Sequence, residues 1–249
     1  MISKSRLKEL SAYRMQKRCD EEAVFVVEGP KMAAEAMASG FVVRVVCGAA
    51  EWLSAHAGSI SGVATYEVSP AELERLSNLK TPNQVWMLVE RRAERVEPGV
   101  KHGEMVIALD HLQDPGNMGT IMRTADWYGI RHIVCSADSV DCYNPKVVQA
   151  SMGAVFRTRV DYVDLPQWLS ACGVPVFGAS LHGKDISTID VQPSESKVLL
   201  IGNESRGISP EAMAHVTHPV LIPNRGGTAE SLNASVAAAI LIDRLLWNS

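Results

Sequence analysis

Three polar stretches, far apart along the chain, carry the residue types that could do chemistry. Asp110–Asp126 reads D-H-L-Q-D-P-G-N-M-G-T-I-M-R-T-A-D, Leu199–Pro210 reads L-L-I-G-N-E-S-R-G-I-S-P, and Ile222–Ile240 reads I-P-N-R-G-G-T-A-E-S-L-N-A-S-V-A-A-A-I. In the first, Pro115-Gly116 predicts a turn and Asn117 a helix cap, with Arg123 about two turns into the helix on the face shared by Gly116 and Thr120. An arginine there has two uses: an ion pair with Asp114 or Asp126, or a grip on a phosphate, whose oxygens match its forked donors. In the second, Gly202 lets a ligand approach the backbone, and Asn203 and Glu204 set polar groups at a strand end. The same residues also suit a plain polar turn ahead of a helix start at Ser209-Pro210. In the third, a glycine-softened loop enters an almost wholly apolar helix with Glu230, Ser231 and Asn233 at its mouth. Ser231 suits the N-cap, while the free N–H groups of the Pro223–Gly227 loop could bind an adenine or a carboxylate.

The elements that must position these residues alternate. An amphipathic helix over residues 3–17 precedes a strand at Ala23–Glu28, a helix from Lys31 to Ser39, a strand at Phe41–Cys47, a helix opened by the Ser69-Pro70-Ala71-Glu72 capping box, and a strand at Val85–Glu90. This predicts a small α/β domain over 1–92. Arg91–Gly103, broken by Pro98, Gly99 and Gly103, predicts a linker at 93–103. Over 104–249 the expected strands are Met105–Leu109, His132–Ser136, Phe156–Val163, Pro175–Gly178, Val198–Gly202 and Pro219–Ile222. The helices between them are expected at Met118–Tyr128, from Asn144-Pro145, at Pro166–Ala171 and Ser209–His215, and from the third polar stretch to Trp247. Strands as uniformly apolar as V-I-A-L and V-L-L-I imply a parallel sheet with helices on both faces. Polar loops at strand ends of such a sheet converge on one pocket.

Composition narrows the class. The 249 residues are 47% hydrophobic, as in an ordinary globular protein, and no apolar run is long enough for a membrane span or a signal peptide. A cytoplasmic protein is expected. Five scattered cysteines without a C-x-x-C pair point to neither a disulfide frame nor a zinc site, and no metal is expected. The net charge of -4 does not suit a general nucleic-acid binder. Yet Lys4, Arg6, Lys8, Arg14, Lys17 and Arg18 crowd the first helix against Glu9 alone, and Arg91, Arg92, Arg95 and Lys101 cluster later, a pattern that suits local phosphate contacts as well as a solvated face. Neither G-x-G-x-x-G after a strand, nor G-x-x-x-x-G-K-[ST], nor G-x-S-x-G occurs, which excludes the common dinucleotide, P-loop and nucleophile-elbow signatures.

In this order and near these spacings, N-M-G-T-I-M-R-T-A, I-G-N-E-S-R-G-I-S and I-P-N-R-G-G-T-A-E-S-L-N-A-S-V-A resemble the three signature motifs of the SpoU (TrmH) family of RNA ribose 2′-O-methyltransferases. The resemblance covers roughly residues 104–247. Residues 1–90 are similar in kind to the small ribosomal-protein-like substrate-binding domain of many members. The resemblance implies the SPOUT fold, a parallel sheet whose C-terminal part threads a trefoil knot, with S-adenosylmethionine bound in the knot and an active site drawing on both subunits of a homodimer. By motif, Gly202, Asn203, Ile222, Leu232 and Asn233 would border the cofactor, and Asn117, Arg123, Glu204, Ser231 and Asn233 would line the reaction site. Lys4, Arg6, Arg14, Lys17, Arg18 and Arg123 are the expected RNA contacts. Ser205 stands where glycine is common in the family, and Asn224 replaces the usual methionine after Pro223. The implied activity is ribose methylation of ribosomal RNA, with transfer RNA as an alternative substrate. A fold-retaining RNA-binding or ribosome-assembly protein without turnover is the alternative from another class.

Overall fold

The computed structural model describes residues 1–93, 99–190, 192 and 194–247. It divides into two compact units, Met1–Ala93 with Tyr143–Phe156, and Glu94–Cys142 with Arg157–Ser249.

The first unit begins with α1 (Lys4–Ser11), a short 3-10 turn (Ala12–Arg14) and α2 (Gln16–Glu21). The single helix expected over 3–17 is broken, because Met15 is extended at φ -91 and ψ 124. The bend lets Tyr13 and Cys19 join Leu7 and Leu10 in one apolar cluster, and the Cys19 thiol donates to the Tyr13 carbonyl. Then come β1 (Val24–Glu28), α3 (Pro30–Ala38), β2 (Val43–Gly48), α4 (Ala50–Ala55), β3 (Ala64–Glu67), α5 (Pro70–Leu76) and β4 (Val85–Glu90). The sheet order is β1-β4-β2-β3, with β4 antiparallel to both neighbours and β3 parallel to β2. Helix α5 carries the capping box read from the sequence: the Ser69 hydroxyl accepts from the Glu72 N–H, and Glu72 accepts in return from the Ser69 N–H. Neither α4 nor β3 was expected. β3 is a largely exposed edge strand, so its sequence has no apolar face to announce it.

In the second unit β5 (Met105–Leu109) leads into α6 (Pro115–Trp127) and β6 (His132–Ser136). The chain then passes through Tyr143–Phe156, which contains α7 (Pro145–Ser151) and groups with the first unit. Its aromatic residues explain that grouping, since Tyr143 lies 4.7 Å and Phe156 6.0 Å from Phe25, centroid to centroid. The boundaries 1–92, 93–103 and 104–249 follow the chain, whereas these contacts cut across it. Residues 94–98 of the expected linker, Arg95 among them, lie outside the described residues.

The second unit resumes with β7 (Arg159–Val163), α8 (Leu165–Ala171), β8 (Val176–Asp185), β9 (Lys197–Ile201), α9 (Pro210–Met213), β10 (His218–Leu221) and α10 (Ala234–Leu246). Its six strands are ordered β10-β8-β9-β5-β6-β7 and pair in parallel throughout. β5, β6 and β9 are buried at every position, as uniformly apolar strands in a sheet covered on both faces must be. β8 runs on past the expected Gly178 because, after pairing with β9, it pairs again with β10 beyond a register shift at Pro219/Val220. Gly183 permits that second approach, since a Cβ there would stand 2.5 Å from the Val220 nitrogen. At the far end of the unit the buried Lys197 ammonium donates to the Leu245 carbonyl, which ties the C-terminus of α10 to the start of β9. Among the described residues no helix is long and apolar enough to cross a membrane.

Candidate active site

The C-terminal ends of β5 and β9 and the N-terminus of α10 bring the three polar stretches together. Helix α6 starts earlier than expected. Pro115 occupies its first turn, where a missing N–H costs nothing, and the cap is Asp114, whose carboxylate accepts from the Asn117 N–H at 2.7 Å. Asn117 is therefore not the cap, and its side chain is free for other partners. Its Nδ2 donates to Glu204 Oε1 at 3.1 Å, and its Oδ1 accepts from Asn233 Nδ2 at 2.9 Å. Ser231 is not the cap of α10 either. Asn233 takes that place, accepting from the Ser235 and Val236 N–H groups through the same side chain that reaches Asn117. An asparagine can do both because its amide carries an acceptor and two donors, whereas a serine hydroxyl has a single proton to give.

Glu204 stands in a tight turn. Asn203 and Gly207 exchange backbone hydrogen bonds at 2.9 Å each way, and Asn203 Oδ1 accepts from the Ser205 and Arg206 N–H groups at 3.0 and 3.1 Å. Gly202 is packed against this turn so closely that a Cβ would lie 2.2 Å from the Gly207 carbonyl carbon. Gly207 carries the left-handed conformation at φ 72, and Ser205 is not among the residues with positive φ, so serine fits where the family favours glycine. Burial alone would push the Glu204 carboxyl up. Hydrogen bonds from the Asn117 side chain and from backbone N–H groups, Asp114 among them at 3.2 Å, outweigh it and hold the group below its ordinary value.

Not every expected residue joins this cluster. Arg123 is exposed and, among the described residues, has no hydrogen-bond or ion-pair partner. Neither structural ion pair open to it forms, because Asp126 is taken by Arg131 and Arg157, and Asp114 caps its own helix. Ser231 is likewise exposed and without a hydrogen bond among the described residues, Leu232 is 48% exposed, and Ile222 is half-buried. Asn224 makes a local frame of the loop: its Oδ1 accepts from the Gly226 and Gly227 N–H groups and its Nδ2 donates to the Gly227 and Ala229 carbonyls. On the first helices Lys4, Arg14 and Lys17 are exposed, while Arg6 pairs with Glu9 and Arg18 with Glu21 and Glu22.

Sequence reasoning passed over three residues beside the cluster. Asp110 is almost wholly buried and accepts from the Ser209 N–H at 2.7 Å, joining the end of β5 to the start of α9. Asp114 was legible as a cap from its place before a proline. His111 has no sequence signal. Its imidazole pairs with Asp138, and that bond, more than the nearby Asp110 carboxylate, raises it above its ordinary value against the opposing effect of burial.

Residues 104–243 match the SpoU rRNA Methylase family. The chain belongs to that family. Residues 4–86 of this SpoU-family protein also match the MRM3-like substrate binding domain. It is 29% identical over 243 residues to the 23S rRNA (guanosine(2553)-2'-O)-methyltransferase RlmP of Bacillus subtilis, covering 96% of this chain and 95% of that one. Among solved structures, the AdoMet-bound rRNA methyltransferase from Sinorhizobium meliloti superposes with a TM-score of 0.87 at 30% identity, over 98% of this chain and 96% of that one. The SpoU methyltransferase AviRb from Streptomyces viridochromogenes, in complex with AdoMet, superposes with a TM-score of 0.82 at 25% identity, over 98% and 97%. The resemblance read from the three motifs is thus borne out, and the α/β fold with a parallel sheet between helices is that of the SpoU/TrmH methyltransferases.

Proposed function

We propose that this protein transfers a methyl group from S-adenosylmethionine to a ribose 2′-hydroxyl of ribosomal RNA, in the cytoplasm and as a homodimer. The observation that carries the reading is the hydrogen-bonded series Glu204–Asn117–Asn233, one residue from each polar stretch, with Arg123 two turns along α6 and unpaired among the described residues. Relatives named as rRNA methyltransferases match across both units, which favours ribosomal over transfer RNA.

The residues present fit the cofactor. Leu232 leaves apolar surface uncovered beside the Asn233 amide, and the exposed loop from 224 to 233 offers backbone donors and acceptors, a combination suited to a flat base with a polar edge. Gly202, Asn203, Ile222, Leu232 and Asn233 would hold it, and threading of the segment after β10 through the trefoil knot would enclose it. Once bound, the cofactor supplies an electrophilic sulfonium methyl, so the protein's work is alignment of the 2′-hydroxyl and removal of its proton. Arg123 is no base, because a guanidinium does not give up its proton near neutral pH. Its role is to grip the phosphate beside the target ribose and to stabilise the developing alkoxide. Glu204 Oε1 accepts from Asn117 and Asp114, whereas Oε2 accepts a single, longer bond from Asn203 Nδ2 at 3.4 Å, so Oε2 is the oxygen with acceptor capacity for the hydroxyl proton, with Asn233 and Ser231 orienting the ribose. Lys4, Arg14 and Lys17, exposed on the first unit, together with Arg6 and Arg18, add phosphate contacts.

The homodimer reading rests on exposed apolar side chains on two helices of the second unit. Trp127 of α6 is 85% exposed, and Val236 and Trp247 at α10 are 47% and 69% exposed. The test is incubation with methyl-labelled S-adenosylmethionine and, separately, 23S, 16S and transfer RNA transcripts, followed by mapping of 2′-O-methyl nucleotides. One labelled ribose in ribosomal RNA is expected. Label on a base, or none above background, would sink the proposal.

A further inference from the structure

The Glu204 turn is tied to the loop after β5 at a residue with no place in the three motifs. His111 adopts φ 53, the left-handed region that a residue with a Cβ enters only when its surroundings hold it there. Four contacts do so. Its N–H donates to Ser136 Oγ at 2.8 Å, its imidazole is flanked by Asp138 at Nδ1 and by Asp110 at Nε2 (3.4 Å), and its carbonyl accepts from Asn203 Nδ2 at 2.8 Å. Asp138 is itself held, through a bond from Gln113 Nε2 to its carbonyl at 2.6 Å.

The consequence runs through Asn203. With Oδ1 committed to the Ser205 and Arg206 N–H groups and Nδ2 to the His111 carbonyl, the Asn203 side chain cannot turn, and Glu204 follows it directly in the chain. We infer that His111 is a positioning residue, whose left-handed backbone aims its carbonyl at Asn203 and so fixes the Glu204 carboxylate against Asn117. The imidazole is the anchor and the carbonyl is the working group. A right-handed backbone at 111 would swing that carbonyl away, loosen the turn, and let Glu204 leave Asn117 and the Asp114 N–H.

The inference rests on the methyl-transfer reading only for its effect on turnover, and the experiment separates the two. Full-length wild type, His111→Gly, His111→Asn, His111→Ala and His111→Val are compared. Glycine and asparagine tolerate positive φ, whereas alanine resists it and valine resists it most. The first readout is kcat against KM for S-adenosylmethionine on ribosomal RNA. The second is the Glu204 carboxyl titration followed by carbon NMR, which needs no turnover. Expected are kcat losses of at least tenfold in His111→Ala and thirtyfold in His111→Val, with KM changed less than threefold and kcat within about fivefold of wild type for glycine and asparagine. The Glu204 titration should move up toward the ordinary carboxylate range in His111→Ala and return in His111→Gly. If valine does not fold, the alanine–glycine pair decides. An unmoved Glu204 titration in His111→Ala, or a glycine variant as impaired as alanine, overturns the inference. A wild type that transfers no methyl but shows the expected Glu204 shifts would leave the positioning role standing and remove the functional reading instead.

Discussion

The Asn117 side-chain amide donates to the Glu204 carboxylate at 3.1 Å, although 87 residues separate the two in sequence. The bond joins the first turn of α6 to the turn after β9, the two segments between which we propose that the 2′-hydroxyl is held. Its geometry depends on Asp114 having taken over the cap.

Replacing Glu204 should therefore disturb both chemistry and acid stability. In Glu204→Ala the Asn117 amide and the Asp114 N–H lose their acceptor, and kcat should fall more than tenfold. The folded carboxyl lies below its ordinary value of 4.5, so its contribution is present above that value and is lost as pH falls through the lower folded one. The stability gap between wild type and Glu204→Gln, from urea midpoints, should be largest near pH 7 and close toward pH 3. A gap independent of pH would refute this.

Arg123 offers the opposite signature. Exposed and unpaired among the described residues, it does nothing visible for the fold. Arg123→Ala should melt within about 2 °C of wild type while turnover drops more than tenfold, with Arg123→Lys in between, because lysine keeps the charge but not the fork. A large loss of melting temperature with turnover intact would reverse the assignment.

The turn after β9 discriminates sharply between neighbouring positions. Gly202→Ala places a methyl 2.2 Å from the Gly207 carbonyl carbon, and an overpacked turn of this kind typically costs about 1–3 kcal/mol. Ser205→Gly removes a side chain from a position that has no need of positive φ and should change stability by less than about 1 kcal/mol. Calorimetric titration with S-adenosylmethionine should show binding lost in the first variant and kept in the second.

In the first unit, buried Glu28 accepts from the Ser77 hydroxyl and from the Asn78 N–H at 3.0 Å. Burial raises its carboxyl above the ordinary value of 4.5, against the lowering effect of those bonds. A raised folded value means that its contribution is whole below 4.5 and is lost as pH rises through the folded value. Thermal melts from pH 4 to pH 7 should show this decline in wild type and a flatter profile in Glu28→Gln. Parallel profiles would count against it.

Much of the scaffold was legible because its signals are local or periodic. The apolar runs at Val85–Glu90, Met105–Leu109 and His132–Ser136 are strands over the residues read from the sequence, and Ser69 with Glu72 closes its capping box. The misses have local causes too. β3 has no buried face, Met15 interrupts a run of good helix formers, and the second half of β8 is half-exposed because it exists only by pairing with β10.

By itself, the sequence determined the parallel α/β class, the family and the three polar stretches, because side-chain pattern and motif order are properties of the chain alone. Tertiary structure decided which polar residue serves which purpose. Asp114 rather than Asn117 caps α6, and Asn233 rather than Ser231 caps α10, since the second bond each asparagine makes is to a partner the chain brings near only on folding. His111 owes its strained backbone and its two carboxylate neighbours to the same cause: a hydrogen bond is made between positions in space, and no spacing along the chain records it.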